Sequence, residues 1–249
     1  MKKAAQFLLM LAVAICICIA APEVYAAEGT CGTNVLWTLD EDTGAMTISG
    51  SGAMTSYTGW KNYRAQIKTL TVEDGVSAVC DYAFHNCENL TDAKLADSVT
   101  SIGDYAFYNC DRLRDLQLPA VCELDAGAFY SCSALTEVTL PKASVINEEV
   151  FAACSALQKV TIPEGYVSIS DGAFAYCESL SEITIPESVQ DLEMFAFHRC
   201  SNLTRIHVLG DLETLTDDDG GATLTQLVGI YFYGNAPASI ITTILQTPL

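Results

Sequence analysis

The sequence predicts a solenoid with one short parallel β-strand in each 22–23-residue coil, short helical turns on the convex return, and a β-hairpin over its N-terminal end. Three observations carry this expectation. The pair Phe-x-x-Cys recurs at Phe84/Cys87, Phe107/Cys110, Phe129/Cys132, Phe151/Cys154, Phe174/Cys177 and Phe197/Cys200, at intervals of 23, 22, 22, 23 and 23 residues. Three residues after each cysteine stands a leucine: Leu90, Leu113, Leu135, Leu157, Leu180 and Leu203. Two more small or apolar positions follow at fixed offsets, Ala93 and Leu95 in the first repeat and Ile206 and Val208 in the last. A period of this length means one supersecondary unit per repeat, which cannot bury its apolar face alone and must stack on its neighbours.

Taken in chain order, Lys2 and Lys3 precede an apolar run from Ala4 to Ala21, and Val24-Tyr25-Ala26 offers small residues at both cleavage positions. Residues 1–26 therefore read as a secretory signal cut after Ala26. No later segment is long and apolar enough to span a bilayer, so no integral membrane span is expected after cleavage. Residues 27–63 are expected to form the β-rich cap, with Trp37-Thr38-Leu39 and Met46-Thr47-Ile48 as strands around the turn Asp40-Glu41-Asp42-Thr43-Gly44. Residues 64–209 form the solenoid of one partial coil, marked by Ile67, Leu70 and Val72, and six complete ones. Residues 210–249 are expected to be a C-terminal cap or a truncated end, with Gly229-Ile230-Tyr231-Phe232-Tyr233 as a last strand and Gly234-Asn235-Ala236-Pro237 as the turn leaving it.

Within a coil, alternation such as Glu137-Val138-Thr139-Leu140 points Val and Leu inward and Glu and Thr outward, as a half-buried strand requires. Prolines at Pro119, Pro141, Pro163 and Pro186 end four of the strands. On the return segment Val79, Ile102, Leu124, Ile146, Ile169 and Leu192 stand five residues before each phenylalanine, which fills the convex side of the core. Six of the nine cysteines beyond residue 26 share one inward phase. Coils stacked about 5 Å apart hold parallel side chains too far apart at Cβ for a disulfide, so these six are expected to be buried, unpaired thiols. Partners for Cys31, Cys80 and Cys122 are not indicated.

The combination of Cys31-Gly32, Trp37-Thr38-Leu39-Asp40, Ile48-Ser49-Gly50-Ser51-Gly52-Ala53-Met54 and repeats such as Ser101-Ile102-Gly103-Asp104-Tyr105-Ala106-Phe107-Tyr108-Asn109-Cys110 resembles the BspA-like leucine-rich repeat proteins of bacteria. The resemblance implies a leucine-rich repeat solenoid and a secreted or cell-surface, extracellular location. It also implies adhesion or protein binding as the function. Members often carry anchoring or further domains with no counterpart in these residues, which leaves a freely secreted protein or a truncated gene product as expectations.

Composition narrows the partners. Removing Lys2, Lys3 and Glu23 with the leader takes 12 basic and 31 acidic residues to 10 and 30, a net charge of −20. Nucleic acid is excluded, since its phosphates would meet a like-signed surface, and a basic lipid-binding patch is disfavoured for the same reason. No enzyme is expected and no cofactor or metal is indicated. Cys-x-x-Cys and His-Glu-x-x-His do not occur, and Gly50-Ser51-Gly52 has the spacing of neither a nucleophile elbow nor a phosphate loop. His85 and His198 occupy one repeat phase five coils apart, roughly 25 Å on strand spacing, too far to share a metal. Asp217-Asp218-Asp219-Gly220-Gly221 lacks the closing glutamate of a calcium loop and reads as a solvated turn.

What remains is binding, to an extracellular protein of a host, a neighbouring cell or the matrix. The outward strand positions make two files: Thr69, Asp92, Asp115, Glu137, Lys159, Glu182, Arg205, and Thr71, Lys94, Gln117, Thr139, Thr161, Thr184, His207. This sheet face is the first candidate surface. The second is the edge just after each phenylalanine, with His85, Tyr108, Tyr130 and His198, where a carbohydrate is a possible ligand. A passive spacer, or a remnant of a larger surface protein, is the structural alternative.

Overall fold

The computed structural model describes residues 26–216 and 229–232. The signal segment, apart from Ala26, lies outside the described residues. So do the acidic turn at Asp217–Gly221, Tyr233, the turn Gly234–Pro237 and the remaining C-terminal residues.

The chain opens with β1 (Ala26–Thr30), β2 (Val35–Asp40) and β3 (Ala45–Gly50), a three-stranded antiparallel cap. The expected hairpin is β2–β3. In its turn the Asp40 carboxylate accepts the backbone N–H groups of Asp42 and Thr43, both at 3.0 Å, and Gly44 takes φ +78°. β1 is an addition that pattern reading missed. β3 then pairs in parallel with the first coil, so the cap grows directly into the solenoid.

Two strands alternate in each coil. The inward-alternating strands are β5 (Thr69–Val72), β7 (Asp92–Leu95), β9 (Asp115–Gln117), β11 (Glu137–Thr139), β13 (Lys159–Thr161), β15 (Glu182–Ile185) and β17 (Arg205–Val208). β19 (Gly229–Phe232) pairs in parallel with β17, where the last strand was expected. The second set, which the sequence did not announce, is β4 (Gly52–Ala53), β6 (Val76–Val79), β8 (Ser101–Ile102), β10 (Glu123–Leu124), β12 (Val145–Ile146), β14 (Ser168–Ile169), β16 (Asp191–Glu193) and β18 (Thr214–Thr216). It forms two parallel four-stranded sheets, β4-β6-β8-β10 and β12-β14-β16-β18. The apolar residues five before each phenylalanine, from Val79 to Leu192, are the buried members of these strands.

The helical turns expected on the return are not formed, apart from one 3-10 turn at Met194–Phe197. The backbone there turns on left-handed residues that flank the phenylalanines. Tyr82, Tyr105, Gly127, Glu149 and Gly172, two before successive phenylalanines, have φ of 52–63°. Asn86, Asn109, Ser131, Ala153, Tyr176 and Arg199, two after them, have φ of 56–62°. Along this segment every second N–H bonds to the next coil. Tyr82, Phe84 and Asn86 donate to the carbonyls of Asp104, Ala106 and Tyr108 in the next coil, and the intervening Ala83, His85 and Cys87 donate within their own turn. A helix would send all of these bonds inside the coil and leave the stack without a ladder on this side. A left-handed non-glycine residue costs about 1–2 kcal/mol, which the otherwise orphaned inter-coil bonds offset.

The core is a continuous column. Trp60, Phe84, Phe107, Phe129, Phe151, Phe174 and Phe197 stack ring on ring at 5.1–5.8 Å, and the Trp60 indole N–H donates to the Ala83 carbonyl at 2.9 Å. Beside the column runs the cysteine file, unpaired as expected. The Phe84 carbonyl accepts both the Cys87 N–H (3.1 Å) and the Cys110 thiol (3.2 Å), filling its two lone-pair directions. Cys132, Cys154, Cys177 and Cys200 repeat the contact on Phe107, Phe129, Phe151 and Phe174 at 3.0–3.3 Å.

Candidate functional site

The parallel registers bring the two predicted files of the sheet face into line within three separate sheets, which contain β5-β7-β9, β11-β13 and β15-β17. Thr69 sits opposite Asp92 and Asp92 opposite Asp115, with Thr71, Lys94 and Gln117 beside them. Glu137 faces Lys159 and Thr139 faces Thr161; Glu182 faces Arg205 and Thr184 faces His207. All are exposed except Asp92 and His207, which are half-buried. The Arg205 guanidinium pairs with the Glu182 carboxylate at 3.0 Å, a cross-strand ion pair with both side chains about half in solvent. The Thr91 hydroxyl donates to the Asp92 carboxylate. Near the cap, Thr71, Glu73, Asp74, Lys94 and Ala96 border an open depression of about 440 Å³.

The second candidate edge is built differently. Tyr108 and Tyr130 lie 5.5 Å apart, and His85 reaches them only through rings that the prediction did not name. Tyr57 meets His85 edge-on at 5.3 Å, His85 meets Tyr82 at 5.6 Å, Tyr82 stacks on Tyr105 at 5.6 Å and 15°, and Tyr105 meets Tyr108 at 6.0 Å. His198 belongs to a separate group with Phe195 and Tyr176. Gly127 makes this ledge possible, because a Cβ there would lie 2.3 Å from the Tyr105 ring. Tyr105 crosses over Gly127, and its hydroxyl donates to the Glu149 carboxylate two coils away at 3.0 Å. That bond favours the neutral phenol, and with burial and the Glu149 charge it pushes Tyr105 up to about 12. The signal for Tyr82 and Tyr105 was available as identical residues two before successive phenylalanines.

Neither surface assembles a reactive group. Burial pushes the thiols of Cys31, Cys87, Cys122, Cys154 and Cys200 up to about 12 and that of Cys80 to about 11, far from a thiolate nucleophile at neutral pH. Among the described residues no three His, Cys, Asp or Glu side chains are grouped to hold a metal ion, and no helix is long and apolar enough to cross a membrane. The Asn89 amide donates to the Ala65 carbonyl at 2.8 Å and accepts from Arg112 at 3.0 Å.

Residues 61–146 and 122–218 match the BspA type leucine rich repeat region, in six copies. The chain belongs to this family of bacterial leucine-rich repeat proteins, whose repeats are typically non-enzymatic protein-interaction scaffolds. Among solved structures it is similar to a leucine rich cell surface protein from Faecalibacterium prausnitzii, at 25% identity and a TM-score of 0.54, over 72% of this chain and 54% of that one. The chain thus spans about half the length of that relative. A leucine rich repeat protein of T. pallidum shares the fold at 22% identity and a TM-score of 0.56, over 88% and 95% of the two chains. One from Eubacterium ventriosum shares it at 17% identity and a TM-score of 0.51, over 75% and 78%. No curated protein matches the chain.

Proposed function

We propose that the chain is an exported, non-catalytic binding module of a bacterial cell that engages an extracellular protein through the sheet face of its solenoid. The observation that carries this reading is the cross-strand register, which aligns Lys94 with Gln117, Glu137 with Lys159, Thr139 with Thr161 and Glu182 with Arg205 in exposed files along the stack. Such a face offers an extended partner a periodic row of hydrogen-bonding and charged tips, with no need for a cleft. Export rests on the leader pattern of residues 1–26 and on membership of the family.

The test is a pull-down from host-cell and matrix extracts, run beside a Lys159→Glu, Arg205→Glu, His207→Asp variant whose circular dichroism is unchanged. A partner identified by mass spectrometry, retained by the wild type and lost by the variant, is the expected outcome. A partner retained equally by both removes the sheet face from the reading, and no enrichment by either favours a spacer.

A further inference from the structure

We propose that the tyrosine ledge of Tyr82, Tyr105, Tyr108 and Tyr130, with the carboxylates of Asp81, Asp104 and Glu149, is a second docking surface that takes a lysine- or arginine-bearing segment of a basic partner protein. The inference rests on the reading of the chain as a binding module, but not on the sheet face.

The rings come first. Tyrosine clusters are what protein hot spots favour, and the two named files, Thr69 to Arg205 and Thr71 to His207, contain no Phe, Trp or Tyr. The ledge gathers four tyrosines on three successive coils, neighbouring rings lying 5.5–6.4 Å apart, and Tyr82 leaves 42% of its surface in solvent. Tyr82 and Tyr105 hold left-handed backbone where the equivalent positions in two later coils are Gly127 and Gly172. A bulky side chain there costs conformational energy that glycine avoids.

The acids come second. Asp81 and Asp104 are exposed beside these rings, each also accepting a backbone N–H of the next coil through one carboxylate oxygen, Asp104 N–H to Asp81 and Ala126 N–H to Asp104, both at 3.0 Å. Glu149 uses one oxygen on the Tyr105 hydroxyl. Among the described residues no lysine or arginine pairs with any of the three. Burial raises the carboxyl of neighbouring Asp125, and the charges of Asp104, Asp81 and Glu123 raise it further, as expected where like charges crowd without a counter-ion.

The occupant follows from what the same edge already holds. At one end the Arg64 guanidinium lies 5.4 Å over the Tyr57 ring, which continues into the ledge through His85. Toward the other end Arg199 lies 5.7 Å over the ring of Tyr176, a phenol near enough for its charge to act on Tyr130. The chain's own arginines thus cover the flanking tyrosines, and the central four carry the carboxylates instead. A cation placed there gains both the ring quadrupole and the charge. The net charge of −19 over the whole sequence would steer a basic partner toward it.

The test is binding of fluorescein-labelled deca-arginine to the purified protein at low and physiological salt. Paired variants report on the site: Tyr108→Ser with Tyr130→Ser, Asp81→Asn with Asp104→Asn, and Glu41→Gln with Glu187→Gln at exposed positions of neither surface. Affinity is expected to fall about tenfold or more in the first two and to hold in the third, while Tyr108→Phe with Tyr130→Phe, which keeps the rings, binds like wild type. Equal weakening by both carboxylate pairs would mean attraction by net charge alone and overturn the proposal. So would an unaffected serine variant, or tyrosine-dependent retention of neutral polysaccharide in an affinity gel without peptide binding. Each result leaves the sheet-face pull-down to be judged separately.

Discussion

At the scale of the residue, cysteine in this fold is a core side chain with a weak donor. It is small enough to stand beside the phenylalanine column, and its thiol reaches the second lone pair of a carbonyl that the backbone leaves half-used. Thiol titration is expected to find all nine cysteines beyond residue 26 reactive in denaturant and the buried file unreactive in the native protein, with half-buried Cys80 modified first. The raised thiols also set a pH dependence. Their ordinary value is 9.0 and the folded value about 12 for Cys87, Cys154 and Cys200, so the folded chain holds protons that the unfolded chain releases. The stability this represents is fully present below pH 9 and is lost as pH rises toward 12. Thermal melts between those limits should show Tm falling, while the Cys154→Ala protein falls less steeply. Phe129→Ala, in the middle of the column, is expected to cost about 3–5 kcal/mol in urea unfolding because rings on both sides hold the cavity open.

At the scale of the element, the convex return works as a ladder because left-handed residues flank its phenylalanines and every second N–H reaches the next coil. Glycine serves the left-handed position at Gly127 for a second reason, the clearance of the Tyr105 ring. Gly127→Ala is therefore expected to push that ring aside and break its bond to Glu149. Ultraviolet titration, taken as the difference from wild type, should then show the Tyr105 phenol moving from about 12 back toward 10. In the cap, backbone donors from Thr43 and Asp42 hold the Asp40 carboxyl below its usual value. This contribution is present above the unfolded pKa and is lost as pH falls through the folded one. Protection factors for amide exchange in the β2–β3 turn should accordingly fall in acid, and Asp40→Asn should remove that acid dependence.

At the scale of the whole molecule, each coil is stabilised by its neighbours, so the end of the stack governs the rest. Trp60 closes the phenylalanine column and ties it to Ala83. Trp60→Ala is expected to lose about 3–5 kcal/mol locally, with amide protection falling first in the coil of Phe84 and last in that of Phe174. A uniform loss of protection would mean that the solenoid unfolds as one cooperative unit. The proposed binding belongs to this scale as well, because both candidate surfaces are files that no single coil contains.

The repeat, the inward phase of Phe, Cys and Leu, the cap hairpin and the unpaired thiols were legible in the sequence, because each follows from spacing along one chain or from alternation within one strand. The 22–23-residue period places the same residue type at the same depth in every coil, whatever the coil's detailed path. Only the tertiary structure decided the left-handed residues in place of helical turns, the second strand of each coil, the addition of β1, and the meeting of Tyr105 with Glu149. All of these depend on where the next coil's backbone lies. A hydrogen bond or ring contact made 22 to 44 residues away leaves no local period from which it could be read.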